Sequence, residues 1–306
     1  MGWLRPYPAC GQVVAAVLAA WPDHVDYLAR NFEIRSPAIM AASELAAKAA
    51  LRLMSPNIRR FAANYRWTCE RLREEELHFH REGRYRLSTF QEAWEEIYSD
   101  SDYMARYVDG LLLSQILWFN HACTFEMFMN RVLAGADQDL DYLEIGPGHG
   151  LMVYLAARSS RTRRLEAWDV SEVSLAETRS ALDRLRTPKA VTLRQADILS
   201  AAQPEGAFDL VVISEVLEHL ERPVDAIAFL SRALAPDGRL FASVPLNSPS
   251  PDHIYLFDTP DAVSRAFEQA GMRVDSMELF ATQGIPVEKA LRRKVSISAG
   301  VIASNA

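Results

Sequence analysis

Leu143-Glu144-Ile145-Gly146-Pro147-Gly148-His149-Gly150 carries an apolar run into three alternate glycines, and residues 151–158 continue with helical spacing. Glycines at such a bend let the backbone approach a ligand, and the first turn of the next helix offers unpaired amides. A tight strand-to-helix turn needs the same glycines, so the downstream residues must decide between a turn and a site. Asp169 ends the next apolar run, with Val170 beside it. A carboxylate there can accept hydrogen bonds from both hydroxyls of a ribose. Asp197-Ile198 follows the third run and offers an acceptor for an adenine amino group and an aliphatic face for its ring. Three carboxylates at successive strand ends (Glu144, Asp169 and Asp197) would repel a pyrophosphate and suit a nucleoside that carries a positive centre.

Around these residues the pattern alternates. Apolar runs at 141–145, 165–169, 190–194, 208–213 and 240–244 are separated by helical segments at 150–160, 172–186 and 223–234, which predicts a parallel sheet built from right-handed crossovers. Two more runs, 273–280 and 294–303, have little helix potential between them and predict an antiparallel hairpin on the sheet edge. Before residue 135 the spacing is helical almost throughout, with long helices expected over 41–54, 69–79 and 103–133. Ser55-Pro56, Gly83 and Ser99-Asp100-Ser101-Asp102 mark the breaks. The expected domains are therefore a helical 1–135 and an α/β 136–306.

The 306 residues are 49% hydrophobic and 24% charged, which excludes disordered and low-complexity classes. Cysteines at 10, 69 and 123 are too scattered for a disulfide framework and fit a reducing, cytoplasmic setting. Net charge is -7, with 15 basic against 16 acidic residues up to position 135 and 18 against 24 after it. Neither part is built to neutralise phosphates, so no nucleic-acid partner is expected. Arg5 before the apolar 13–20 imitates a short signal peptide, but Val13, Val14, Val17, Leu18 and Trp21 recur as the stripe of a short buried helix. That run is too short to span a bilayer, and Gly2 is followed by Pro6 where a myristoylation signal wants Ser or Thr. No membrane partner is expected.

The ordered motifs resemble those of the class I S-adenosylmethionine-dependent methyltransferases over about residues 138–303. Glu144 to Gly150 is similar to the glycine motif, Asp169 to the ribose acid and Asp197-Ile198 to the adenine-side motif. Phe208 to Glu215 matches the fourth strand and Leu234-Ala235-Pro236-Asp237-Gly238-Arg239-Leu240 the turn into the fifth. The resemblance implies a Rossmann-like, seven-stranded sheet whose last strand is reversed, with an all-helical N-terminal domain in front of it. It implies S-adenosylmethionine as cofactor, held by Glu144, Gly146, Gly148, His149, Gly150, Asp169, Val170, Asp197 and Ile198, with Ser214 and Glu215 near its methionine part. Dinucleotide dehydrogenases share the topology and the ribose acid, but their fingerprint is G-x-G-x-x-G, not the G-x-G-x-G found here.

Glu215-Val216-Leu217-Glu218-His219 follows the fourth strand. If a helix begins there, positions 215, 218 and 219 share a face and gather two carboxylates and an imidazole, an arrangement for a hard cation. His253 lies in a Pro-rich loop past the fifth strand, where open α/β sheets bind substrates. Glu-x-x-Glu-His with a later histidine resembles ubiquinone-pathway O-methyltransferases and small-RNA 2′-O-methyltransferases. The resemblance implies Glu215, Glu218, His219 and His253 as ligands of Mg²⁺ or another divalent cation that lowers the pKa of an acceptor hydroxyl. Many methyltransferases carry a similar Glu-His without metal; His219 or His253 is then the candidate general base.

In the helical half, Trp118 and His121, together with Tyr255 farther on, are candidates for a substrate wall beneath a helical lid, although most aromatic residues there read as core. The expectation is methyl transfer to a small-molecule acceptor, to oxygen first, with nitrogen, carbon, protein or RNA acceptors as alternatives. A non-catalytic cofactor-binding subunit is the reading from another class. The Ala-rich 41–50 can pack on a helix of the same or a second chain, which leaves a homodimer open.

Overall fold

A computed structural model describes residues 4–135, 139–200 and 207–306. Gly2 and the expected domain boundary at 136 lie outside the described residues. The chain divides into two compact units. One comprises 1–126, 247–256 and 280–298, the other 127–246, 257–279 and 299–306. The helical unit therefore takes in two returns of the chain beyond the N-terminal half.

The second unit holds the sheet. Its strands are β1 (Leu140–Ile145), β2 (Thr162–Asp169), β3 (Thr192–Gln195), β4 (Phe208–Ser214), β5 (Leu234–Leu246), β6 (Met272–Ala281) and β7 (Ile297–Asn305), in the order β3-β2-β1-β4-β5-β7-β6. The first five run parallel, and the sheet turns antiparallel near the C-terminal strands, as the resemblance implies. Winding reverses between β1 and β4, which places the switch point at the carboxyl end of β1. β1 and β4 are buried on both faces, which explains why they read as unbroken apolar runs. The segment between β6 and β7 departs from expectation. It contains a helix at Val287–Arg293, whose seven residues are too few to show a periodicity.

In the helical unit, α1 (Pro8–Ala20) buries Val13, Val14 and Val17 as expected of a short core helix. The next three are α2 (Val25–Glu33), α3 (Pro37–Met54) and α4 (Ile58–Glu82). Ala42, Ala46, Ala47, Ala49 and Ala50 of α3 are buried inside this chain. Gly83 ends α4 in the left-handed region at φ 73°. A short helix, α5 (Phe90–Ala93), precedes α6 (Ser101–Leu117), where the Asp100 carboxylate accepts from the amides of Asp102 and Tyr103. The single helix expected over 103–133 is broken, because Trp118 adopts extended backbone at ψ 136° and α7 (Phe119–Met127) starts afresh. Arg35 stabilises that break. Its guanidinium, buried between helices, donates to the carbonyls of Ile116 and Leu117 at 2.8 and 3.1 Å. Among the described residues no helix is long and apolar enough to cross a membrane.

Candidate functional site

The glycine loop follows β1. Gly146, Gly148 and Gly150 all have positive φ (66°, 49° and 68°), a region that side-chain-bearing residues adopt at a cost. Gly146 is needed for a second reason, since a Cβ there would stand 2.6 Å from Val216 Cγ2. Gly148 is different, because nothing lies within 4 Å of the place its Cβ would take. The loop is held from behind. Gly146 donates its amide to the Trp168 carbonyl, and the Thr178 hydroxyl donates to the Gly148 carbonyl at 2.8 Å. Its open face therefore belongs to Gly148, with His149 half-buried beside it.

The acids at the strand ends differ in setting. Glu144 is buried, and removal from water pushes its carboxyl up to about 8, against the 2.6 Å hydrogen bond that Tyr142 donates to it. Burial also holds Asp169 above the usual carboxylate range, although it accepts from the Ser171 amide at 2.8 Å. A carboxylate has about four acceptor sites, so this bond leaves capacity for further donors. Val170 is exposed. Asp197 is exposed and accepts from the Leu199 amide and the Ser200 hydroxyl, while Ile198 is buried.

Past β4 the helix expected from position 215 does not form. Ser214 ends the strand half-buried, and the Glu215 amide donates to the Ser243 carbonyl, which prolongs the ladder to β5. Glu215 takes φ 54°, Val216 leaves the helical region, and only a 3-10 turn at Leu217–His219 follows. The ladder thus prevails over the i, i+3, i+4 pattern. The Glu215 carboxylate accepts from the Ser243 hydroxyl, and burial pushes its carboxyl up to about 7. Glu218 is fully buried, with Oε1 3.7 Å from Nε2 of the half-buried His219. The short turn therefore brings one carboxylate and one imidazole together and gives Glu215 another partner.

His253 belongs to the helical unit, in the return at 247–256. Its Nδ1 lies 2.7 Å from the Ser248 carbonyl oxygen. A carbonyl only accepts, so Nδ1 carries a proton, and in the ring's neutral form the lone pair is on Nε2. Tyr85 packs edge-on against this ring and accepts from the Ser248 amide at 3.0 Å. Tyr255 is half-buried in the same return. Trp118 donates to the Tyr65 hydroxyl at 3.0 Å, and His121 Nδ1 is 3.1 Å from the Ser114 hydroxyl. Burial lowers His121 to about 4, so it is neutral across the physiological range. No local pattern marks Tyr85, Ser250 or Asp252, whose contacts join positions more than a hundred residues apart.

A family described as a methyltransferase domain matches residues 121–280. A ubiquinone biosynthesis O-methyltransferase of Pseudomonas aeruginosa (strain UCBPP-PA14) is 33% identical over 117 residues, which cover 38% of this chain and 47% of that protein. The chain thus spans about half the length of the curated relatives it matches. The structure of the mitomycin 7-O-methyltransferase MmcR is similar in fold, at 15% identity and a TM-score of 0.53, over 84% of this chain and 73% of that one.

Proposed function

Because the chain belongs to the methyltransferase domain family, with the class I fold of S-adenosylmethionine-dependent members, we propose that it moves the methyl group of S-adenosylmethionine onto a hydroxyl of a small-molecule acceptor. The observation that carries this reading is the loop after β1, with three left-handed glycines, open space at Gly148 and acids ending the adjacent strands. Asp169 would accept from the ribose hydroxyls. Asp197 and Ile198 would take the adenine edge and face, and Ser214 and Glu215 would lie toward the methionine end. Raised proton affinity at Glu144 fits a cationic ligand, which would favour its ionised form. Oxygen as acceptor is supported by the ubiquinone O-methyltransferase relative and by the Glu-x-x-Glu-His motif.

The Glu-x-x-Glu-His motif with its later histidine implies Glu215, Glu218, His219 and His253 as the residues that would hold a divalent cation. The donor chemistry fits, with a carboxylate and an imidazole 3.7 Å apart on one turn and His253 keeping its lone pair on Nε2. When bound, such a cation supplies a Lewis acid that lowers the pKa of an acceptor hydroxyl. In its absence, the Nε2 of His253 or His219 is the base that receives the hydroxyl proton.

Asp169→Ala is expected to weaken binding of S-adenosylhomocysteine at least tenfold by calorimetry, on the order of 1.4 kcal/mol; unchanged affinity removes the ribose assignment. Acceptor class is tested by transfer of a deuterated methyl group into a metabolite extract, read by mass spectrometry with and without EDTA. A labelled metabolite lost on chelation supports the small-molecule acceptor and the metal. Label that survives EDTA keeps the acceptor and discards the metal, and label found only in protein or RNA overturns the acceptor class.

A further inference from the structure

The loop that carries His253 is built by hydroxyl groups of the helical unit. Tyr107, on α6, Ser250 and Asp252 are all buried. The Tyr107 and Ser250 hydroxyls touch each other, and both lie 3.0 Å from Asp252 Oδ1. Two protons are thus shared among three contacts, which closes the triangle. Tyr98 donates to the other carboxylate oxygen of Asp252 at 3.3 Å, and Arg86, itself paired with Glu75 and Glu96, reaches the Pro251 carbonyl. Pro249 and Pro251 fix two backbone torsions of the same loop. Its two ends are tied by the His253 ring, which donates to Ser248, while Tyr85 accepts from the Ser248 amide.

We propose that Tyr107, acting through Ser250 and Asp252, is a positioning residue that fixes the loop so that His253 donates from Nδ1 and presents Nε2. This rests on the reading of His253 as ligand or base. The physical reason is the same in both roles. An imidazole serves as base or ligand through an unprotonated nitrogen, and the hydrogen bond made by the other nitrogen selects which one that is. The Ser248 carbonyl makes that selection only while Ser248 and His253 stay in register across the loop. Tyr107 lies 143 residues from Ser250 in the chain, so α6 pins that register from outside.

The test uses the full chain and its Tyr107→Phe and Asp252→Ala variants, with His253→Gln assigning the resonances. Imidazole nitrogen spectra give the His253 tautomer without any acceptor, and hydrogen exchange followed by mass spectrometry reports on residues 248–253. The parent is expected to show a protonated Nδ1. In Tyr107→Phe the two nitrogen shifts should move toward each other and loop exchange should rise about tenfold, with affinity for S-adenosylhomocysteine within about twofold of the parent. A role in stability alone would lower the melting temperature and leave the tautomer in place. Parental nitrogen shifts and exchange in Tyr107→Phe overturn the proposal, as does a parent protonated on Nε2. If Asp252→Ala does not fold, Tyr107→Phe, which keeps the ring, decides. No binding of S-adenosylhomocysteine by the parent would instead overturn the methyl-transfer reading, and the nitrogen shifts would still judge Tyr107.

Discussion

Glu144 is a buried carboxyl near the end of β1. Its ordinary value is 4.5 and its folded value about 8, so the unfolded chain releases this proton first. Between those values the folded state binds more protons, and stability must fall as pH rises. Glu144→Gln is expected to remove that slope from urea unfolding of the unliganded protein and to gain a few kcal/mol at pH 8, each pKa unit being worth about 1.4 kcal/mol; an unchanged slope would place the cost elsewhere. Gly148 offers a second contrast. Gly146→Ala meets both positive φ and Val216, whereas Gly148→Ala meets positive φ alone, a strain of about 1 to 2 kcal/mol. Gly148→Ala should therefore melt closer to the parent and yet lose affinity for S-adenosylhomocysteine, and parental affinity would show that no ligand approaches this face. The glycines, Asp169 and Asp197 were legible because each sits at the end of a locally patterned strand. The ties that hold the His253 loop were not, since Tyr107 and Asp252 meet across 145 residues, where Tyr107 reads locally as a core aromatic and Asp252 as a loop acid.

Among the elements, β1, β2 and β4 were readable because a largely buried parallel strand is a short apolar run between turns, and the mostly exposed β3 was readable to within a few residues. The break at Trp118 was not, as neither proline nor glycine announces it and the group that satisfies its carbonyls, Arg35, comes from a distant part of the chain. The turn at Leu217–His219 misled for a related reason, since its residues suit a helix and the ladder to Ser243 overrides them. α6 has a local start signal that does operate. Its Asp100 cap accepts two amides, at 3.0 and 2.9 Å, so Asp100→Ala should cost about 1 kcal/mol in urea denaturation. A loss below about 0.3 kcal/mol would mean that packing alone sets the start of α6.

Across the whole molecule, the sequence texture changes near residue 135, and the compact units follow a different division. The helical unit takes in 247–256 and 280–298, returns that no local pattern marks. A fragment ending at Glu126 would leave Tyr107 without Ser250 and Asp252 and Asn120 without Ser298, and each orphaned buried group costs about 1 to 3 kcal/mol. It is expected to be helical by circular dichroism but to melt without a sharp transition; a cooperative melt would show that 1–126 folds by itself.

The order β5-β7-β6 also has a kinetic meaning. β6 is made before β7 along the chain but lies outside it in the sheet, so it has no neighbour until β7 is seated. During refolding β7 must seat before β6 or together with it, and until it does β5 is the open margin of a half-finished sheet, where another unfolded molecule can add a strand.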